Sequence, residues 1–332
     1  MENVELNKYE QEFYNDKRFP KRWQAFLASA LMRTAGVIIW TVIINVLQIL
    51  TARGIINFAS EFGTDMFNAV ISQICMVLPI PIIFMFVFKN DMGETLRLKK
   101  DLDALQILLI VSMCIGAFIP AQYVNGVVVS ALQNFLGEPM ELSGVTSAKN
   151  IVQLLSEIVI IGFLPAICEE IFYRGYVLRG LERKGNKKYA LLISSLLFAV
   201  MHGNFQQMTY AFALGILLGF VVLKTNSLLA SIVMHATLNI MSVILSFGPI
   251  NDFYVEYSVE IVTIALILSP AVLAGSIVLF SLYTKKRNAR LGTSNALPTY
   301  ESIKEKPYEN VLSIVLFIAF LLTNIVEAFL AW

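Results

Sequence analysis

Long apolar runs separated by short polar segments set the pattern of this chain. A helix that crosses a bilayer needs about 20 apolar residues. Runs of that kind lie at roughly 27–50, 66–88, 104–122, 150–173, 227–247, 259–283 and 311–330, with two shorter ones at 189–203 and 209–223. Lipid offers no water to unpaired backbone groups, so the runs are expected to be helical. The piece 123–136 reads as an interfacial helix or an extension of the third span.

The predicted fold class is therefore an all-α polytopic membrane protein with about eight to nine transmembrane helices. Its expected parts are a cytoplasmic N-terminal segment (1–26), an N-terminal set of helices (27–149), a helical core (150–247) and a C-terminal part (248–332) with a cytoplasmic linker at 284–310. Composition agrees: of 332 residues, 57% are hydrophobic and 15% charged, with a mean hydropathy of +0.70. That is too apolar for a soluble domain. Cys75, Cys114 and Cys168 all fall inside apolar runs, which speaks against a disulfide framework. The polar start of the chain has no cleavable signal peptide.

Charge adds an orientation. With the segments numbered alternately from the N-terminus, one face collects 22 of the 25 Lys and Arg residues. The exceptions are Arg33, Arg53 and Lys149. Such a bias predicts a multi-pass protein of the cell membrane with its N-terminus in the cytoplasm. The net charge of +1 offers nothing to nucleic acid. The expected partners are membrane lipid, a peptide or protein substrate at the membrane, and a further membrane protein.

Three places break the apolar pattern: Glu169-Glu170 with Arg174, Phe198 with His202, and His235 with Asn239. The chain's two histidines both occur here, and intramembrane histidines characteristically face a cavity or a partner. If the fourth run continues as a helix to about Arg183 and the fifth begins near Lys188, Glu169 and His202 each lie about 21 Å from the turn between them. Lipid-facing charges would cost roughly 2.5–3.5 kcal/mol each, so these groups should line the interior.

Spacing separates roles. Glu170 and Arg174 share a helix face and read as a buried ion pair that fixes packing. Glu169 points about 100° away and has no such partner on its own helix. Pro165, four residues earlier, should free carbonyls and admit water beside the acid. Phe198 reads as packing, Asn239 as an interhelical hydrogen bond or a partner of His235 in one site. Arg33 and Glu157 read as snorkelling or mouth-lining residues near helix ends. A buried carboxylate with two histidines and an asparagine suits activation of water for amide hydrolysis, with donors left for an oxyanion. The alternative is a divalent metal, zinc for example, held by Glu169, His202 and His235. A proton-coupled transporter is disfavoured, because no repeated halves are visible.

EExxxR (Glu169, Glu170, Arg174), FxxxH (Phe198, His202) and HxxxN (His235, Asn239), in that order on successive membrane helices, resemble the CAAX protease and bacteriocin-processing family. That family, also called Abi, includes the Ras-converting CAAX endopeptidase. The resemblance covers roughly residues 150–245. It implies an all-helical intramembrane endopeptidase in which Glu169 activates water, His202 assists, and His235 and Asn239 stabilise the oxyanion, with no metal required. Some bacterial members instead act without proteolysis, in bacteriocin immunity or as regulators of sensor kinases. The expected substrate is a membrane-inserted or lipidated peptide, met near the basic, cytoplasmic face.

Overall fold

A computed structural model describes residues 19–55, 61–98, 101–137, 148–183, 186–291 and 306–330. Among the described residues every regular element is helical. Ten helices carry the argument: α1 (Arg22–Ala52), α2 (Glu61–Val87), α3 (Ala104–Leu136), α4 (Ile151–Glu182), α5 (Lys187–Val200), α6 (Phe205–Thr225), α7 (Leu228–Ser246), α8 (Gly248–Glu256), α9 (Ser258–Arg290) and α10 (Pro307–Leu330). Eight of them, all but α5 and α8, are long and apolar enough to cross a membrane. The protein is an all-α polytopic membrane protein.

Several boundaries differ from the sequence expectation. The fifth run yields a helix of 14 residues, about 21 Å at 1.5 Å per residue, too short to span. The polar residues His202 to Asn204 end it before the apolar run is exhausted. Residues 123–136 extend the third helix without a break, through Pro120. The 284–310 segment begins as helix, since α9 reaches Arg290 and α10 starts at Pro307. Residues 292–305 of that linker, residues 1–18 of the N-terminal segment, and Lys184 and Gly185 lie outside the described residues.

One rim of the bundle gathers the basic helix ends. Arg97, before α3, pairs with Glu182 at the end of α4 and donates to Asn226 Oδ1 just past α6 at 3.0 Å. Lys21 pairs with Glu309 on α10 at 2.8 Å, and Arg287 on α9 with Asp103 at 2.9 Å. Arg183 donates to the Phe19 carbonyl at 3.0 Å. These contacts tie the starts of α1, α3 and α10 to the ends of α4, α6 and α9 at a single level.

Small residues bring the inner helices together, the usual route where lipid removes a hydrophobic drive between helices. Gly215 and Gly219, spaced GxxxG on α6, face Ser195 and Leu191 of α5. A Cβ at Gly215 would sit 3.1 Å from Ser195 Cβ, and one at Gly116 would sit 2.7 Å from the Leu273 backbone nitrogen of α9. Large apolar side chains such as Phe86 and Phe135 point outward, as lipid-facing positions require.

Candidate active site

Three wide, π-helical turns lie around the polar cluster: Ser72–Val77 in α2, and Ile158–Phe163 and Ile171–Val177 in α4. Such turns carry an extra residue within a helix and recur at functional sites. Each presents a group to the cluster. Gln73 comes from the first, the Ile161 and Gly162 carbonyls from the second, and Arg174 from the third.

Glu170 and Arg174 are fully buried and joined by a 2.9 Å ion pair. Arg174 Nη2 also donates to the Gly215 carbonyl at 3.2 Å, and its guanidinium lies 4.2 Å from the centroid of the Phe198 ring. The cation is thus compensated on three sides, as a charge removed from water must be. Glu170 Oε1 further accepts from His235 Nδ1 at 2.9 Å. An ionised carboxylate only accepts hydrogen bonds, so Nδ1 carries the proton. Nε2 then turns toward Glu169 Oε2, 4.0 Å away.

Glu169 is held from another helix. Gln73 Nε2 donates to its Oε1 at 3.0 Å. Sequence reasoning passed over Gln73, although an amide in an otherwise apolar span is a signal of the kind used for the histidines.

His202 falls in the turn after α5 rather than within a helix. Its Nδ1 contacts the Phe198 carbonyl at 2.9 Å, closing the last turn of α5 and leaving Nε2 for other partners. Gly203 follows with φ of +67°, a conformation that favours glycine. Asn204 caps α6 by accepting from the Gln207 amide at 2.9 Å and donates back to the His202 carbonyl at 3.0 Å. The FxxxH spacing is therefore a helix terminus with a fixed exit. Phe198 lies edge-to-face against both imidazoles, with centroids 5.2 Å from His202 and 5.8 Å from His235. Glu169 and His235 are both close enough to act electrostatically on His202.

Asn239 Nδ2 donates to the carbonyls of Ile161 at 3.2 Å and Gly162 at 3.5 Å. Ile161 is the carbonyl that Pro165, without an N–H, cannot take in α-helical register. The amide thus ties α7 to the interrupted stretch of α4, and the freed carbonyl meets a side chain. Asn239→Ala should cost about 1–3 kcal/mol of stability for an unsatisfied carbonyl. A double-mutant cycle with Pro165→Ala, followed by unfolding in detergent, should show a smaller cost once residue 165 regains its N–H; equal costs in both backgrounds would contradict the assignment.

Arg33 does not snorkel from a helix end. It sits well inside α1, pairs with Glu327 of α10, and its guanidinium lies where a Cβ on Gly203 would fall, beside the His202 turn. The helix end that the snorkelling reading required is eleven residues away.

Glu169, His202, His235 and Asn239 share a cavity of about 490 Å³. Its walls on α4 run from Glu169 back to Glu157, and on α7 from His235 forward to Ser246. Both directions lead away from the basic rim, opposite to the expected approach. No group of three His, Cys, Asp or Glu side chains among the described residues is arranged to hold a metal ion.

Residues 151–241 match the model of the type II CAAX prenyl endopeptidase Rce1-like family. The chain belongs to the CAAX protease and bacteriocin-processing family. That membership is one of membrane-embedded proteases. The chain is 26% identical over 181 residues to the protein named Putative membrane peptidase YdiL of Bacillus subtilis (strain 168), covering 54% of this chain and 72% of the relative. It is 29% identical over 106 residues to the UPF0177 protein YxdF of Lactococcus lactis, covering 30% and 58%. An uncharacterized protein of Mycoplasma capricolum is 24% identical over 153 residues, with 44% of each chain covered. No solved structure matches. The family-matched stretch contains all three motifs, whereas Gln73 and Arg33 lie outside it.

Proposed function

We propose that the protein is an intramembrane endopeptidase that hydrolyses a peptide bond of a membrane-associated substrate with water activated by Glu169. The observation that carries this reading is the convergence of one carboxylate and two imidazoles from separate elements on a single enclosed cavity. Glu169 takes a proton from water, and the hydroxide adds to the scissile carbonyl carbon. The C–N bond then breaks as the leaving nitrogen receives that proton back from Glu169. His202 offers Nε2 to the same water, its Nδ1 being engaged by Phe198.

For the oxyanion, the amide of Asn239 has two N–H groups, and one serves the α4 carbonyls. The second is available to the cavity. His235 donates from Nε2 only as an imidazolium, a form favoured by carboxylates on both sides of the ring. Hydrogen-bond donors aimed at developing charge commonly lower such a barrier more than any other group in the site.

Gln73 fixes the rotamer of Glu169. Gln73→Leu removes that hydrogen bond without adding charge, and kcat should fall about tenfold, the worth of one hydrogen bond to a charged group. KM should move little. A kcat unchanged in steady-state assays of the inserted variant would exclude this role.

The Lys and Arg bias of the rim supports a cytoplasmic N-terminus, and the cavity then extends toward the opposite side of the membrane. We place substrate entry there. The test is cleavage of a fluorogenic peptide panel by purified protein in liposomes, with and without chelator. Turnover that persists in chelator is the expected result. A panel left intact by well-folded protein would instead favour a non-catalytic immunity or sensor-kinase role.

A further inference from the structure

Glu157 lies at the far end of the cavity and takes no part in the mechanism above. It is only 3% exposed and its side chain lines the cavity. The Ala148 backbone amide reaches the carboxyl group, yet Oε1 has no hydrogen-bond partner among the described residues. The polar side chains around it on α3, α6 and α7 are neutral: Gln122, Asn125, Gln206, Gln207, Ser242 and Ser246. No Lys or Arg lines the cavity among the described residues.

A carboxylate withdrawn from water without a counter-charge is costly, and removing the partner of a buried charge typically loses 3–5 kcal/mol. Here the counter-charge is missing from the protein while the carboxylate faces open space. A low-dielectric cleft lined by one sign of charge also concentrates the opposite sign within it.

From this geometry we infer that Glu157 is a specificity subsite for a cationic side chain, lysine or arginine, of the peptide substrate. The inference rests on the proteolytic reading of the same cavity and adds a register to it. Glu157 precedes Glu169 by twelve residues on one helix, a separation of at most about 18 Å. An extended peptide spans that distance in about five residues at 3.3–3.6 Å each. The basic residue therefore sits about five positions from the bond that is cut, and substrates with a neutral residue there bind without this contact.

The experiment is a lysine scan. A set of otherwise neutral membrane-partitioning peptides, with one lysine moved stepwise along the sequence and norleucine as reference, is given to the wild-type protein in liposomes of neutral lipid. Cut sites are read by mass spectrometry. The peptide with lysine about five residues from the cut should show kcat/KM about tenfold above the reference, the scale of one hydrogen-bonded charge contact. In Glu157→Gln the advantage should vanish, and in Glu157→Asp a part of it should return. Cleavage with equal rates at all lysine positions overturns the subsite while leaving the protease intact, as does an advantage that survives in Glu157→Gln. An advantage independent of position also overturns it, since it marks general attraction rather than a site. Absence of cleavage across the whole wild-type panel removes the proteolytic reading and the subsite with it. The wild-type scan decides the matter even where a variant fails to insert.

Discussion

Glu169→Gln should reduce peptide cleavage by about 10²–10⁴-fold, the usual worth of a positioned general base, while leaving insertion and thermal stability near wild type. The substitution keeps the shape of the side chain and an oxygen that can still accept from Gln73 Nε2, now at 3.0 Å. It removes only the ability to take a proton from water. The measurement is turnover of one peptide at matched protein levels in liposomes, paired with a melting curve in detergent. Turnover within threefold of wild type would remove Glu169 from the chemistry. A collapse of the melting curve would show that the acid holds the fold instead.

Arg174→Met should do the reverse, losing fold before chemistry. It strands a fully buried Glu170 and leaves the Gly215 carbonyl without the guanidinium. Breaking one side of a buried pair typically costs 3–5 kcal/mol, a large share of the 5–15 kcal/mol that a domain has in total. Glu170→Gln should cost a similar amount by leaving the arginine uncompensated. The double replacement Glu170→Leu with Arg174→Leu should be milder than the sum of its parts, because neither charge then remains. Stability that returns without activity is the expected outcome. His235 Nδ1 loses its carboxylate partner in the double variant, and the ring is no longer fixed. Additive single and double effects on the melting temperature would show that the two residues do not act as a pair.

How much of this was legible from residues alone differs by position. The Glu170–Arg174 pair followed from one helical spacing, since both partners lie on one element. The shared burial of Glu169, His202 and His235 followed from the cost of charge in lipid. The partners of Glu169 did not follow, because Gln73 lies 96 residues earlier and periodicity carries no information across helices. The end of α5 was misplaced for a related reason. Apolar residues continue as far as Met201, and only the turn chemistry of His202, Gly203 and Asn204 sets where the helix stops. The predicted effect of Pro165 on its helix has a partner in Asn239, which reaches the Ile161 carbonyl; spacing alone suggested only that Asn239 faces the same way as His235. The direction of the cavity was misread because the basic residues mark the rim and not the route in.

The π turns of α4 make that helix intolerant of a kind of change that ordinary helices absorb. Removing any one residue between Ile158 and Val177 would swing everything beyond it by about 100°, sending either Glu169 or Arg174 out of the bundle. Substitutions can be compensated locally, but a lost codon cannot. The number of residues between Asn150 and Glu182 is as much a part of the site as the side chains it carries.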